Sequence, residues 1–507
     1  MLQENRSFDS YFGMLNPYRA ANKWTVSEDG NTYTVDGIDD KLSQISNMND
    51  EGQSFGLFKL ATTCVDDMTS AWLESFGDVN RYHFGLPRPV LMDGFVHTAE
   101  GFAKGGFGDG DFTDVAGQRS MGYYDQDTLN YYYYMASQFA VSDRWFAPVA
   151  SKSTPNRIAT VTGGTTQGLV HDPFKDDHVP AQLDIETIFE ELDQNGVSWK
   201  IYYSITNGGC TDADGDCGPS GNPNAFPSTT FVDFRYARKY IYKNTQQTAC
   251  VAPTVGSQQA VGDSSNTFCI DPAHIAPIGQ YFTDVANNTL PSYAFIETAY
   301  GHGDEHPGSG QSILKGQQQV ANIINSLMQS PSWSSSVFFL SYDEPGGPYD
   351  HVPPVPGSSN QNTDSSLGSI PDISTIAVNP DGYMPCPAPG GVATVHCDLT
   401  PQDPGANPGD AAAQQGFAAQ LGFRLPNLVI SPFTRQHYVS HIPMDHTAVI
   451  KFVENRFIGS SAHLTNRDAA QPDLLDFFDF NNVPWATPPS PPTPNAAPGN
   501  CNAANMQ

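Results

Sequence analysis

Short apolar runs that end in polar clusters recur along the chain. The clearest is Val-Phe-Phe-Leu-Ser-Tyr at 337–342, followed directly by Asp343 and Glu344. A run of this length without polar alternation predicts a strand buried on both faces. The stretches 198–203, 292–297 and 427–431 read the same way. Helical stretches alternate with them at 128–139, 185–195, 313–329 and 447–456. Strand and helix in alternation predict an α/β fold, with a mostly parallel sheet covered by helices on both faces. Met1 and Leu2 read as the last residues of one more strand, and Gln3-Glu4-Asn5-Arg6-Ser7-Phe8-Asp9 follows. In α/β enzymes strand ends open onto the crevice above the sheet, so Glu4-Asn5 and Asp343-Glu344 both stand where active-site groups are held.

Three segments break this rhythm. Residues 15–60 and 205–275 are long and polar, and 355–415 is rich in Pro, Gly and Asp; loops of this length predict cap or rim insertions on one domain spanning 1–483. The Pro/Ala/Asn-rich tail 484–507 is expected to be extended or disordered. A buried strand usually needs about five or six residues. Only Met1 to Gln3 precede the first polar motif, which gives the expectation of a shortened N-terminus.

Charge narrows the partners. The 24 Lys+Arg against 54 Asp+Glu leave a formal net charge of −30, a field that repels nucleic acid and attracts divalent cations. No run is long enough to span a bilayer as a helix. Of the 8 cysteines, Cys210 with Cys217, Cys250 with Cys269 and Cys386 with Cys397 are close in loop sequence. They read as disulfides of an exported protein, with Cys64 and Cys501 unassigned. The Asp-rich loop 212–216 resembles the start of a calcium loop, but Pro223 stands where a bidentate Glu is needed.

Glu, Asn and Asp offer the oxygen ligands that hard cations prefer, and adjacent carboxylates repel unless a cation relieves them. Between the two acidic motifs lies Ser-Lys-Ser-Thr-Pro-Asn-Arg at 151–157, where Ser153 or Thr154 ahead of Pro155 fits either a helix N-cap or a nucleophile. Gly-Asp-Glu-His-Pro at 303–307 and Met-Asp-His-Thr at 444–447 add histidines suited to proton transfer.

Together, the opening Gln3–Gly13 string, Ser153-Thr-Pro-Asn-Arg157, Asp304-Glu-His-Pro307 and Tyr342-Asp-Glu-Pro-Gly-Gly-Pro-Tyr-Asp-His-Val352 resemble the motifs of the phosphoesterase family. That family holds bacterial and plant non-specific phospholipases C and an acid phosphatase, within the alkaline phosphatase superfamily. The resemblance runs from Glu4 to about Phe457. It implies an alkaline-phosphatase-like core and one or more divalent metal ions held by Glu4, Asn5, Asp343 and Glu344. By the same resemblance Ser153 is the nucleophile, with Thr154 as fallback, and His306 and His351 act on the phosphate. Asn156, Asp304 and His446 are further candidates, and Asp445 is expected to cap the last helix. The chain departs from the family at Cys64–Trp72, where an expected histidine is missing unless His83 or His97 takes its place. The implied substrate is a phosphate ester, possibly a phospholipid. A phospholipase C-type diesterase is the leading expectation, a phosphomonoesterase or a catalytically impaired binding protein the alternatives. Trp72, Tyr82, Tyr123 and Tyr124 are candidates for an aromatic cage around choline. A leader peptide, and hence secretion or periplasmic location, is implied for the full-length protein.

Overall fold

The computed structural model describes residues 1–81, 90–104, 112–166, 186–204, 274–298, 301–354 and 421–502. Its main sheet has 8 strands: β1 (Leu2–Gln3), β2 (Ala140–Ser142), β3 (Trp199–Tyr203), β4 (Ile275–Pro277), β5 (Tyr293–Glu297), β6 (Phe338–Tyr342), β7 (Leu428–Ile430) and β8 (Tyr438–Ser440). They lie in the order β8-β2-β7-β6-β1-β5-β3-β4. Only β7 runs against its neighbours, pairing antiparallel with β6 and β2; the others pair in parallel. The expected α/β fold with a mostly parallel sheet is what the chain adopts.

The helices that matter here are α1 (Phe8–Phe12), α2 (Asn130–Gln138), α3 (Ser153–Val161), α4 (Ile188–Gln194), α5 (Ile278–Asn287), α6 (Ile313–Met328) and α7 (Thr447–Phe457). Alternation along the strands divides the core between them. Trp199, Ile201, Tyr203 and Phe295 enter one apolar cluster with Val161, Ile188, Leu192, Ile450 and Val453, from α3, α4 and α7. Tyr202, Ile296, Leu340 and Tyr342 enter the other, against α2, α5 and α6. Both faces are therefore buried, and the strands read as unbroken apolar runs for that reason.

Of the expected rim segments, 15–60 contains a helix at Leu15–Asn22 and a hairpin pairing Ser46–Met48 with Ser54–Gly56. Nearly all of 205–275 and all of 355–415 lie outside the described residues. With them go the three local cysteine pairs and the Asp-rich loop. Over 484–502 the tail forms neither helix nor strand and is tied to the rest of the chain. Trp333 Nε1 donates to Trp485 O at 2.9 Å, Asn130 Nδ2 donates to Thr493 O at 2.8 Å, and Cys501 forms a disulfide with Cys64 across 437 residues. Spacing had no means of pairing cysteines so far apart in sequence.

Candidate active site

The register of the central strands builds the site. Gln3 lies opposite Tyr342 in the β1–β6 pairing, so the residues that follow, Glu4-Asn5 and Asp343-Glu344, leave the sheet side by side. Asp343 N–H donates to Gln3 O at 2.9 Å and Glu4 N–H to Asp304 O at 2.8 Å, which ties in the loop carrying His306. Asn5 takes a left-handed backbone, φ 61°, a conformation Asn tolerates better than most residues. Gly346 permits it, because a Cβ on Gly346 would lie 2.4 Å from Asn5 O. The Asn5 amide contacts His306 Nε2 through Nδ2 at 2.8 Å. Its Oδ1 then lies 3.5 Å from Ser153 Oγ, and Glu4 Oε2 lies 3.5 Å from the same hydroxyl.

Ser153 is the first residue of α3, and Lys152 is the N-cap, without a side-chain capping bond. The capping reading of Ser153 and Thr154 is thus corrected. Ser153 is half-buried and reaches the acidic cluster, whereas Thr154 is buried. Asn156 is occupied elsewhere: it accepts from Val149 N–H at 2.8 Å and donates to Ser151 O and Lys152 O at 2.8 and 2.9 Å. Those bonds shape the loop that presents Ser153.

Four residues after Ser153, on the same helix face, Arg157 enters the carboxylates. It donates to Glu4 Oε1 at 2.6 Å and Asp343 Oδ2 at 3.0 Å, and also to Glu297. Burial pushes Asp343 up to about 6, with Glu4 adding to the rise, and pushes Glu297 and Asp304 up to about 7. Burial and then Asp343 raise Glu344 well above the carboxylate range; its Oε2 accepts from Gly346 N–H at 2.7 Å. Burial alone would lower His306, but Asp67, Glu4 and Asp304 outweigh it and favour the imidazolium.

This donor set fits a divalent cation. Glu4 Oε2, Asn5 Oδ1 and Ser153 Oγ are hard oxygens. Gaps of 3.5 Å are long for hydrogen bonds but match neighbouring ligands around a cation bonded at roughly 2.4 Å. The buried Asp304 Oδ1 and Glu297 Oε1 have no hydrogen-bond partner among the described residues. Burying so many carboxylates beside one Arg157 guanidinium is relieved by protons, as their raised values show, or by a further cation.

Two expected site residues lie elsewhere. His351 contacts Asp9 Oδ2 through Nδ1 at 2.6 Å and Asp36 Oδ1 through Nε2 at 3.0 Å. Although burial opposes it, these carboxylates raise it to about 9, so both its nitrogens carry protons at neutral pH. Asp9, Asp350 and His351 present ligand-type atoms within 4.8 Å of one another. The Arg424 guanidinium already serves as their cation, 2.9 Å from Asp9 and from Asp350. His446 is buried behind the sheet, between Thr160 Oγ1 at 2.8 Å and Ser341 Oγ at 3.3 Å, and burial lowers it to about 3. The N-cap of α7 is His446, without a side-chain capping bond, so the expected cap at Asp445 is corrected; Asp445, one residue earlier, accepts from Thr447 N–H at 2.7 Å. In the suggested choline cage, Tyr124 is buried edge-on against Tyr11; Tyr82 and the Trp72 side chain lie outside the described residues.

Arg157 and Asp67 are the site residues that sequence reasoning passed over. Arg157 was visible as the end of the Pro-Asn-Arg string, one helical turn from Ser153. Asp67 lies in the divergent 64–72 segment, and its charge acts on both His306 and Lys152. No local signal marked it.

The sequence model described as Phosphoesterase family matches residues 1–458. Phospholipase C B of Mycobacterium tuberculosis is 26% identical over 98% of this chain and 78% of its own length. Non-hemolytic phospholipase C of Burkholderia pseudomallei is 25% identical over 99% of this chain, which spans 61% of that protein. Non-specific phospholipase C1 of Arabidopsis thaliana is 24% identical over 96% of this chain and 71% of its own length.

Proposed function

The chain belongs to the Phosphoesterase family, and from that premise we propose that this hydrolase of phosphate esters is a phospholipase C-type phosphodiesterase working through Ser153. The observation that carries the reading is the placement of Ser153 Oγ 3.5 Å from both Glu4 Oε2 and Asn5 Oδ1. Glu4, Asn5, Asp343 and Glu344 would hold a divalent cation there. Such a cation eases loss of the serine proton and offsets charge on a phosphoryl oxygen.

In the proposed reaction Ser153 gives its proton to water as its Oγ attacks phosphorus in line; a serine phosphodiester that keeps the headgroup forms, and the other alkoxide leaves on the opposite side. Once substrate draws its Nε2 away from Asn5 Nδ2, His306 protonates the leaving oxygen and then takes a proton from the water that hydrolyses the serine phosphodiester, releasing the phosphorylated headgroup. Arg157 fixes Glu4 and Asp343 in place. Arg157 is engaged by three carboxylates, which leaves the surroundings of Ser153 rich in negative charge. A phosphodiester with one negative charge suits such a site better than a monoester dianion. The names of the relatives point to the same chemistry, with a phospholipid as substrate.

No helix among the described residues is long and apolar enough to cross a membrane. The Cys64–Cys501 disulfide supports an oxidising, extracytoplasmic location.

The test compares p-nitrophenyl phosphorylcholine with p-nitrophenyl phosphate, with and without chelator, for wild type and Ser153→Ala. Chelator and Ser153→Ala should each remove activity on the diester. A preference for the monoester would favour the acid phosphatase reading. Activity surviving in Ser153→Ala would discard the nucleophile, and inactivity on both esters with metal added would favour a binding protein.

A further inference from the structure

Glu4 N–H bonds Asp304 O and the Asn5 amide contacts His306, yet Glu305 between them turns into the core. It takes a left-handed backbone, φ 71°, which persists in a residue other than glycine only where the surroundings hold it. Its side chain passes Gly316 of α6, where a Cβ would lie 2.1 Å from Glu305 Cγ. At its end three buried phenols meet. Tyr11 of α1 and Tyr342 of β6 donate to Oε2 at 2.7 and 2.6 Å, and Tyr132 of α2 donates to Oε1. Gln3 Nε2 donates to Gly303 O at 2.9 Å and lies 3.3 Å from Glu305 Oε1. The Arg6 guanidinium donates to Glu305 O through Nε and Nη2, at 3.1 and 2.7 Å.

Phenols keep their protons at neutral pH, so all three are donors, and a carboxylate is an acceptor with room for them. A buried carboxylate is a costly way to fill a core, since packed apolar residues hold elements together as well or better. Directed hydrogen bonds add position: each constrains a distance and an angle, whereas apolar contacts let a loop slide. The partners belong to the elements that carry the rest of the site. Gln3 directly precedes Glu4, Arg6 directly follows Asn5, and Tyr342 directly precedes Asp343. One carboxylate thus ties the loop carrying His306 to both acidic strand ends.

We infer that Glu305 is a positioning residue for His306. Bound by Tyr11, Tyr132 and Tyr342, its carboxylate sets how the 303–307 loop stands against the ends of β1 and β6. That placement decides where the His306 ring meets the leaving oxygen. The inference rests on the reading of His306 as the group that protonates this oxygen. A proton donor must come within hydrogen-bond reach of its target, and misplacement by about 1 Å can cost on the order of 100-fold in rate. Enclosed by three phenols, the Glu305 carboxylate does not itself reach the substrate. It acts through the loop.

The experiment compares an aryl ester, p-nitrophenyl phosphorylcholine, with an alkyl one, dibutanoyl phosphatidylcholine, in wild type, Glu305→Gln, Tyr132→Phe and His306→Ala. p-Nitrophenolate leaves without a proton, whereas the diacylglycerol alkoxide needs one. The alkyl-to-aryl ratio of kcat/KM therefore reads protonation of the leaving group, and damage common to both esters cancels from it. The ratio should fall roughly 100-fold in His306→Ala. In Glu305→Gln, whose amide would turn donors of its own toward the phenols, it should fall at least about tenfold. In Tyr132→Phe, which keeps the ring and loses one hydrogen bond, it should fall about threefold. Should Glu305→Gln not fold, Tyr132→Phe carries the comparison. A ratio lowered in His306→Ala but kept in the other two variants would overturn the inference alone. A ratio kept in His306→Ala would overturn the reading of His306, and the inference with it. In protein carrying isotope-labelled histidine, the ring nitrogen resonances of His306 should shift in Glu305→Gln and Tyr132→Phe. Unshifted resonances would overturn the inference whatever the esters show.

Discussion

Replacing Arg157 by Met tests the electrostatic reasoning most directly. Arg157 is 1% exposed and donates to Glu4, Asp343 and Glu297, all buried. At an effective dielectric of about 20, each such contact has a gross Coulomb energy of roughly 4 kcal/mol. Desolvation of the guanidinium cancels much of that sum. Breaking a buried pair nevertheless costs about 3–5 kcal/mol, because it strands ionised carboxylates without a partner. Those carboxylates can escape by binding protons. Glu297 already sits near 7 and Asp343 near 6 with Arg157 present, and its removal moves both higher. An acid whose pKa is raised on folding binds more protons folded than unfolded, so its effect on stability worsens as pH rises through the raised value. Each pH unit is worth about 1.4 kcal/mol per carboxylate in that window. The deficit of Arg157→Met against wild type should therefore be about 3–5 kcal/mol at pH 8 and shrink below about 2 kcal/mol at pH 5. Thermal melts of both proteins across that range, without added metal, measure it. A deficit of the same size at pH 5 and pH 8 would show that Arg157 acts by packing, and would refute the charge argument.

Two further outcomes follow from the same contacts. Gly346→Ala puts a methyl group 2.4 Å from Asn5 O at a residue with φ 75°; it should displace Asn5, reduce kcat/KM more than tenfold and lower stability by about 1–3 kcal/mol, and near-wild-type turnover would show that the Asn5 geometry is not needed. His351 is raised to about 9 from an unfolded value of about 6.5, so its stabilisation is full below 6.5 and lost as pH rises through 9; the melting-temperature gap between wild type and His351→Gln should close by about pH 10, and a constant gap would remove the ion-pair explanation.

The regular elements were legible because their signal is local. β3, β5, β6 and β7 are buried in the sheet, so each reads as an apolar run, and the four expected helices, α2, α4, α6 and α7, lie within three residues of the expected bounds. β2, β4 and β8, three residues each, were not among the expected strands and are defined by their neighbours in the sheet. Glu4, Asn5, Asp343 and Ser153 stood out as candidates because each follows a strand or opens a helix, within a recognisable string. His351 and His446 lie in equally recognisable strings, yet pack into clusters of their own. A string names residues that fold together; it does not say toward which neighbour each side chain turns.

By itself, then, the sequence determined the α/β class, the strand ends that carry acidic residues and the family. Tertiary structure decided which of those residues meet. The Gln3↔Tyr342 register brings Glu4 and Asn5 beside Asp343, α3 swings Arg157 among them, and a disulfide joins Cys64 to Cys501 from opposite ends of the chain. The reason is physical: propensity and periodicity act over a few residues, whereas a cluster of buried charge exists only once distant segments have excluded water from between them.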